Sequence, residues 1–556
     1  MCKTYVDKYD KWRYNVVMYI ASVPNRTSPP AILLRESFRQ NGRVKNRTIA
    51  NLSSWVPARI DALRRVLRGE LDTALDTALD TAPDGDPTSG PVFGLLFALK
   101  HLADDLGLTK ALGLSRLGKL SLFLLLARLA HQGSRVSVVR WARDQAVAEV
   151  LGFGAFDEDD LYAALDDLAA RQEKIEQALY RRYLARRGAS PTLFLYDVTS
   201  SYLDGEHSAL GPFGPNRDGK RGKLQIVIGL LADSDGDPLA VRVFAGKTGD
   251  PGAVVEQIAT IKQQFGVDEL VFVGDRGMVK STGKQALNDA GLHYISALTD
   301  PQIRRLLSAG TLQLSLFSEA VCEVDADGIR YVLRKNESEA ARVTHRLADK
   351  LTTLARKVAQ RNAQVTQSPR CRPEAGRQQL QQWAARHKLT ALVDLRLEDG
   401  AIVVTRQEGP LERALDLAGC YAVVTDVAAD RMSDLAVHDT YVSLQRVERD
   451  FRQMKTGLLD VRPVFVRKES RTRGHVFGCM LALKISRELE RRLHAVFGTT
   501  DTHPHAITPP DAMAALSRLC LLEYRLDEHT TVTRLPRPDA RQQEILAALQ
   551  VHLPTK

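Results

Sequence analysis

Two acids in this sequence close apolar runs that read as buried strands. Asp197 follows Leu193-Phe194-Leu195-Tyr196, and Asp275 follows Val271-Phe272-Val273-Gly274. A third acid, Glu448, falls inside a helical pattern running from Tyr441 to Lys455. A carboxylate at the end of an apolar strand costs desolvation unless something compensates it. Three brought together repel one another unless a cation sits between them. All-oxygen donors of this kind suit Mg²⁺, with Mn²⁺ as a substitute. Two such ions, about 3.5–4 Å apart, clamp the attacking and leaving oxygens of a phosphodiester displacement. The first expectation is therefore metal-dependent cutting and joining of nucleic acid. Asp197, Asp275 and Glu448 would be its catalytic groups and its metal ligands.

The Glu448 segment carries a second pattern. Tyr441, Glu448 and Lys455 are spaced by seven residues, about two helical turns, which predicts one shared stripe. Leu444, Val447, Phe451, Met454 and Leu458 form a neighbouring apolar stripe, the core-facing side of an amphipathic helix. Arg446, Arg449, Arg452 and Arg462 surround the acid with positive charge, and 441–475 holds nine Lys/Arg against four Asp/Glu. A carboxylate in that setting suits a site that holds a metal and a phosphate together. Taken alone, Glu448 would read more simply as a salt-bridged surface acid.

Five blocks, in order, carry a family resemblance. They are Tyr196-Asp197-Val198-Thr199-Ser200; residues 214–225, which include Arg217, Asp218 and Lys223; Phe244-Ala245-Gly246-Lys247-Thr248-Gly249-Asp250; Gly274-Asp275-Arg276-Gly277-Met278; and the Glu448 helix, followed by Arg462-Pro463-Val464-Phe465 and Gly474-His475-Val476. On these the chain resembles bacterial insertion-sequence transposases of the DDE class, over roughly 18 to 525. The subgroup it resembles has a large insertion between the second Asp and the Glu.

The resemblance implies an α/β fold: a ribonuclease-H-like core interrupted by a β-rich insertion, with a mostly helical amino-terminal region. It implies two Mg²⁺ ions held by Asp197, Asp275 and Glu448, and in-line attack by water and later by a freed 3′-OH. It also implies double-stranded DNA partners (terminal inverted repeats and target), a homodimer in the synaptic complex, and a bacterial, nucleoid-associated location in the cytoplasm. The family's Tyr–Arg–Glu–Lys signature is met by Tyr441, Glu448 and Lys455, with Leu444 at its Arg position. Tyr441, Lys455, Arg449 and Arg452 are the expected DNA contacts, and Arg446 or Arg449 could stand in for the signature arginine. Val466 stands where many relatives have His. A catalytically inactive DNA-binding descendant and a nuclease without strand transfer remain open on residue types alone.

Composition agrees. The chain has 556 residues, 44% of them hydrophobic, and a net charge of +10, which favours a polyanionic partner. Residues 1–70 hold fourteen Lys/Arg and five Asp/Glu, whereas 71–90 hold five Asp and neither Lys nor Arg. Cys2, Cys322, Cys371, Cys420, Cys479 and Cys520 show no CxxC pairing, against a zinc site and for a reducing compartment.

These shifts divide the chain. Residues 1–70 read as a basic hairpin and helix: 31–38 and 43–52 flank Asn41-Gly42, a type I′ turn signal, and 1–17 read as an extension. Residues 71–90 are an acidic low-complexity linker. Residues 91–188 read as helical, with possible DNA-binding helix-turn-helix pairs near 108–116 and 135–150. Residues 189–310 open the core with strands 192–197, 225–232, 239–244, 270–275 and 294–297 and helices 251–265 and 282–290. Residues 311–430 are the insertion, with hairpins at Asp327-Gly328 and Asp399-Gly400 and a helix over 337–362. Residues 431–525 complete the core, and 526–556 are a tail.

Overall fold

The computed structural model describes residues 17–25, 29–40, 43–67, 88–188, 191–204, 207–208, 210–211, 222–246, 264–265, 271–274, 281–289, 291–368, 371–456, 459, 464–499, 505–525 and 531–554. Asp275, the Asn41-Gly42 turn, Leu458, Arg462 and nearly all of the expected helix 251–265 lie outside these residues, as do most of the blocks 214–225 and 275–278. The chain divides into two compact units, Met1–Ser89 with Leu522–Arg534, and Gly90–Leu521 with Leu535–Lys556.

In the first unit, β1 (Val17–Val23), β2 (Ala31–Gln40) and β3 (Arg43–Asn51) form an antiparallel sheet in that order, followed by a helix at Pro57–Leu67. Gln40 pairs with Arg43, so two residues connect the strands, as Asn-Gly favours. Arg47 Nε and Glu36 form a cross-strand ion pair at 2.7 Å. The amino-terminal region is therefore not mostly helical, which corrects the expectation. The alternating, β-branched text of 31–52 wins over the general helical bias of the residues after it. Val17 opens β1.

The second unit contains the helical layer and a large sheet. Strand β4 (Thr88–Val92) precedes the helices. Then come β5 (Leu193–Tyr202), β6 (Gln225–Asp233), β7 (Pro238–Ala245), β8 (Val271–Gly274), β9 (His293–Ala297), β10 (Cys322–Ala326) and β11 (Ile329–Lys335). After these follow β12 (Val393–Glu398), β13 (Ala401–Arg406) and β14 (Cys420–Thr425), whereas most of β15 (Cys520–Arg525) and all of β16 (Thr531–Arg534) fall in the first unit.

Eight strands form one sheet in the order β10-β11-β14-β9-β8-β5-β6-β7. β5, β8 and β9 are parallel; the remaining neighbours are antiparallel. β6 is buried along its whole length, as its unbroken apolar text predicts for a strand covered on both faces. β5 instead splits its side chains. Phe194, Tyr196 and Val198 enter one core, while Leu195 enters the other, as does Leu203 just past the strand's end.

That second core is dominated by a 29-residue helix, Glu469–Phe497, buried from Thr472 to Leu493 on nearly every side. A helix apolar all round belongs in the middle of a domain. It crosses the helix Glu158–Ala170 closely at Gly474, where an added Cβ would run into the Leu165 carbonyl. The segments considered for a helix-turn-helix pack into this core. Leu108, Leu112 and Leu120 are fully buried, and Arg135 donates to His475 Nδ1 at 3.0 Å. Burial pushes the Arg135 pKa down to about 10.

Segment 311–430 is only partly β-rich. β10, β11 and β14 extend the main sheet and β12–β13 form a separate hairpin, but its longest elements are helices, Glu337–Gln367 and Pro373–Arg386. Leu351, Leu354 and Val358 of the first pack with Leu380 and Ala384 of the second and with Leu395 and Ile402 of the hairpin. The apolar spacing of 351, 354 and 358 is helical, so this small core is built on helices as much as on strands. No described helix is long and apolar enough to cross a membrane.

Candidate active site

Asp197 does not end its strand. β5 continues to Tyr202, paired with β6 as far as Tyr202↔Gln225. What stops at this point is the parallel ladder. β8 pairs with β5 from Leu193↔Val271 to Tyr196↔Gly274. Asp197 is thus the first residue of β5 beyond its parallel neighbour, and Gly274 is the residue before Asp275. Side chains alternate along a strand, so Asp197 shares its face with Leu195. Its carboxylate is half-buried, and Oδ1 accepts the Val198 N–H at 2.7 Å.

The Glu448 helix packs on that same face. It runs Gln445–Thr456 and contacts β5. Leu444, Val447, Phe451 and Met454 are buried, as their spacing predicts, in the core that also receives Leu195. Glu448 is exposed, in the first turn of the helix, where the helix dipole favours a carboxylate. Lys455 is half-buried; Arg449 and Arg452 are exposed.

The single helix expected from Tyr441 to Lys455 is in fact two. Asp434–Ser443 ends at Leu444 and a new helix begins at Gln445. Ser443 Oγ donates to the Thr440 carbonyl at 2.6 Å, and Leu444 N–H turns back to Tyr441 O at 3.1 Å. A serine competing for backbone acceptors loosens a helix in this way. The two-turn stripe therefore holds for Glu448 and Lys455 but not for Tyr441. Tyr441 still meets Glu448, because both line one cleft of about 900 Å³, together with Gln445, Arg334 and Lys335. Leu444, at the Arg position of the expected signature, lines the same cleft but is almost fully buried and apolar, so it brings no charge to it.

Three residues of this neighbourhood escaped the sequence reading. His438 is buried, with Nε2 accepting from Arg334 Nη1 at 3.0 Å and touching the Tyr421 hydroxyl. Nδ1 therefore carries the proton and donates to Asp439 Oδ1 at 2.9 Å. Arg334 and Tyr421 are cross-strand partners on β11 and β14, so this cluster ties the added strands to the helix leading to Glu448.

Asp450 is fully buried and accepts from Arg487 Nη1 at 2.8 and 2.7 Å. Burial pushes its pKa up to about 6, against the opposing pull of Arg487. Arg487 Nη2 also donates to Asp235 O at 2.9 Å, and Arg446 Nη1 to Ser234 O at 2.8 Å. These bonds fasten the Glu448 helix to the β6–β7 turn and to the central helix. A signal for Asp450 was present: it lies three residues after Val447 and four before Met454, on the apolar side.

Among the described residues no three His, Cys, Asp or Glu side chains cluster as a metal site, and Asp275 is not among them. Residues 188–485 match the family described as transposase DDE domain, and residues 20–80 match the IS1634 family transposase, N-terminal domain. No curated protein matches the chain. Solved structures that resemble it include a piggyBac transposase synaptic complex with hairpin DNA. The identity is 9%, over 72% of this chain and 69% of that one, with a TM-score of 0.32.

Proposed function

The chain belongs to the DDE-domain transposases, and we propose that it is of the IS1634 kind, whose amino-terminal domain residues 20–80 match, and that it cuts insertion-sequence ends and joins them to target DNA by two-metal phosphoryl transfer. The order β7-β6-β5-β8-β9, with β5, β8 and β9 parallel, supports a ribonuclease-H-like core continued by an inserted segment. One observation carries the site. Asp197 sits at the end of the parallel ladder, beside the strand leading to Asp275, on the face where the Glu448 helix packs.

The donor set fits hard divalent cations. Asp197, Asp275 and Glu448 offer only carboxylate oxygens. They would hold two Mg²⁺, or Mn²⁺ in their place, and when bound these ions activate the attacking oxygen and stabilise the leaving one. The chain's own residues do the positioning. Asp197 is held by backbone pairing and by the Val198 N–H. Lys455 lies two turns after Glu448, about 10 Å along the helix, and would hold a neighbouring backbone phosphate. Arg449 and Arg452 would add phosphate contacts, and Tyr441 would pack against the strand from the cleft. The partners on this reading are the terminal inverted repeats and target DNA, with two copies of the chain joining two ends.

Asp197→Asn, Asp275→Asn and Glu448→Gln each keep shape and remove a charge that ligates metal. Each is expected to lower Mg²⁺-dependent cleavage of end DNA by at least about 10²–10³-fold, with binding in a gel shift retained. Wild-type cleavage by any one of them removes that residue from the site. Lys455→Ala is expected to weaken end binding and to lower its salt dependence by roughly one unit of slope. An unchanged slope would make Lys455 a solvated surface residue.

A further inference from the structure

The Glu448 helix is a ridge with a depression on each side. One is the cleft that holds Glu448 and Tyr441. The other, of about 740 Å³, begins at the next residue, Arg449, and runs between the helix Gln172–Arg187 and the central helix. We infer that this second groove carries the phosphate backbone of duplex DNA away from the catalytic face, with Arg182 and Arg186 as its principal contacts. The inference rests on the transposase reading above.

The groove's acids are already engaged: Asp235 with Arg187, Asp237 with Lys484 at 3.0 Å, Glu488 with Arg491 at 2.6 Å and Glu490 with Arg449 at 3.7 Å. Arg182 spends its donors on a neutral acceptor, the Asp105 carbonyl, from Nε at 3.1 Å and Nη2 at 2.5 Å. Among the described residues Arg186 makes no ion pair, and both arginines are exposed. Their positive charges are therefore uncompensated. They stand one turn apart on one helix face, about 6 Å in rise.

Charges set out in a row, and not converging on one point, suit a polymeric anion better than a small one. Arg449 joins the row beside the candidate catalytic acid. Its 3.7 Å pair with Glu490 is between exposed side chains, the kind of contact that contributes little and is readily exchanged for a phosphate. A simpler role for Arg186 and Arg187 is to complement the dipole at the carboxyl end of their helix. That role affects folding only and leaves DNA affinity untouched.

The test measures affinity for a 30-base-pair duplex of unrelated sequence against salt concentration, with thermal melts as folding controls. Arg186→Ala removes an exposed side chain with no ion pair and leaves the fold intact. It is expected to lower the slope of log affinity against log salt by about 0.9, and the Arg182→Ala/Arg186→Ala double variant by about 1.8. Arg186→Glu should weaken binding further than Arg186→Ala. If the wild type binds DNA and both alanine variants keep its slope and affinity, the groove is not a DNA path, and the transposase reading stands without it. If the wild type itself binds no duplex, both fall together.

Discussion

Strand β5 and the helix Gln445–Thr456 hold their acids in opposite ways. Asp197 is fixed by main-chain pairing. Its strand is bonded on one side to β6 from Phe194 to Tyr202 and on the other to β8 up to the residue before the acid. Glu448 stands exposed on a twelve-residue helix whose position depends on side chains. Four apolar residues lie beneath it, and Arg446, Asp450 and Arg487 tie it down. The first acid is set by the sheet's register; the second can be moved without touching it. Substitutions remote from the chemistry should therefore harm the Glu448 side more than the Asp197 side.

The largest such effect is expected at Asp450. Asp450→Ala leaves Arg487 without its carboxylate in a mostly buried position. Removing one partner of a buried pair costs about 3–5 kcal/mol, readable as a loss in urea-unfolding free energy. Cleavage should fall with it under conditions where the chain remains folded. Unchanged stability and cleavage would show that the helix is held by its apolar face alone.

On the strand side the matching probe is Gly229 of β6, which pairs with Val198 of β5. An added Cβ there would meet the hydroxyl of the fully buried Tyr196, next to Asp197. Gly229→Ala should cost about 1–3 kcal/mol, as overpacking does. Because the register survives, cleavage per folded molecule should change less than in Asp450→Ala. The reverse ranking would undo the contrast between strand and helix.

The smallest effect concerns pH. The folded pKa of Asp450, about 6, lies above its ordinary value of 3.8. The folded chain therefore takes up this proton more readily than the unfolded chain does. The group's stabilising contribution is present below about 3.8 and is lost as pH rises through about 6. Asp450→Asn cannot titrate, so stability of the wild type relative to it should increase as pH falls from 7.5 to 4.5. Urea melts of both proteins at the two pH values check the sign.

The contrast also explains what the sequence disclosed. Apolar runs such as Val271–Gly274 and Gln225–Asp233 are legible because a strand covered on both faces needs no polar alternation. The Asp197 strand was read five residues short, since its text turns polar at Thr199-Ser200-Ser201 while β6 continues to pair with it. Val17–Val23 went unread because no turn residues mark its start. The buried stripe of the Glu448 helix was legible from its period. The break at Leu444 was not, because it depends on one serine hydroxyl choosing a carbonyl. His438 and Arg334 are over a hundred positions apart and meet only through sheet pairing.

We propose that Asp197 and Glu448, from these two differently built elements, act on one phosphoryl transfer as a unit. Groups acting as a unit are not additive: removing both costs about as much as removing either. Single-turnover cleavage of end DNA in Mg²⁺ should be measured for Asp197→Asn, Glu448→Gln and the double variant, each matched for DNA binding. Both singles should fall to the same residual rate, and the double variant should fall no further. Losses that multiply in the double variant, or a single variant cleaving at the wild-type rate, would contradict it.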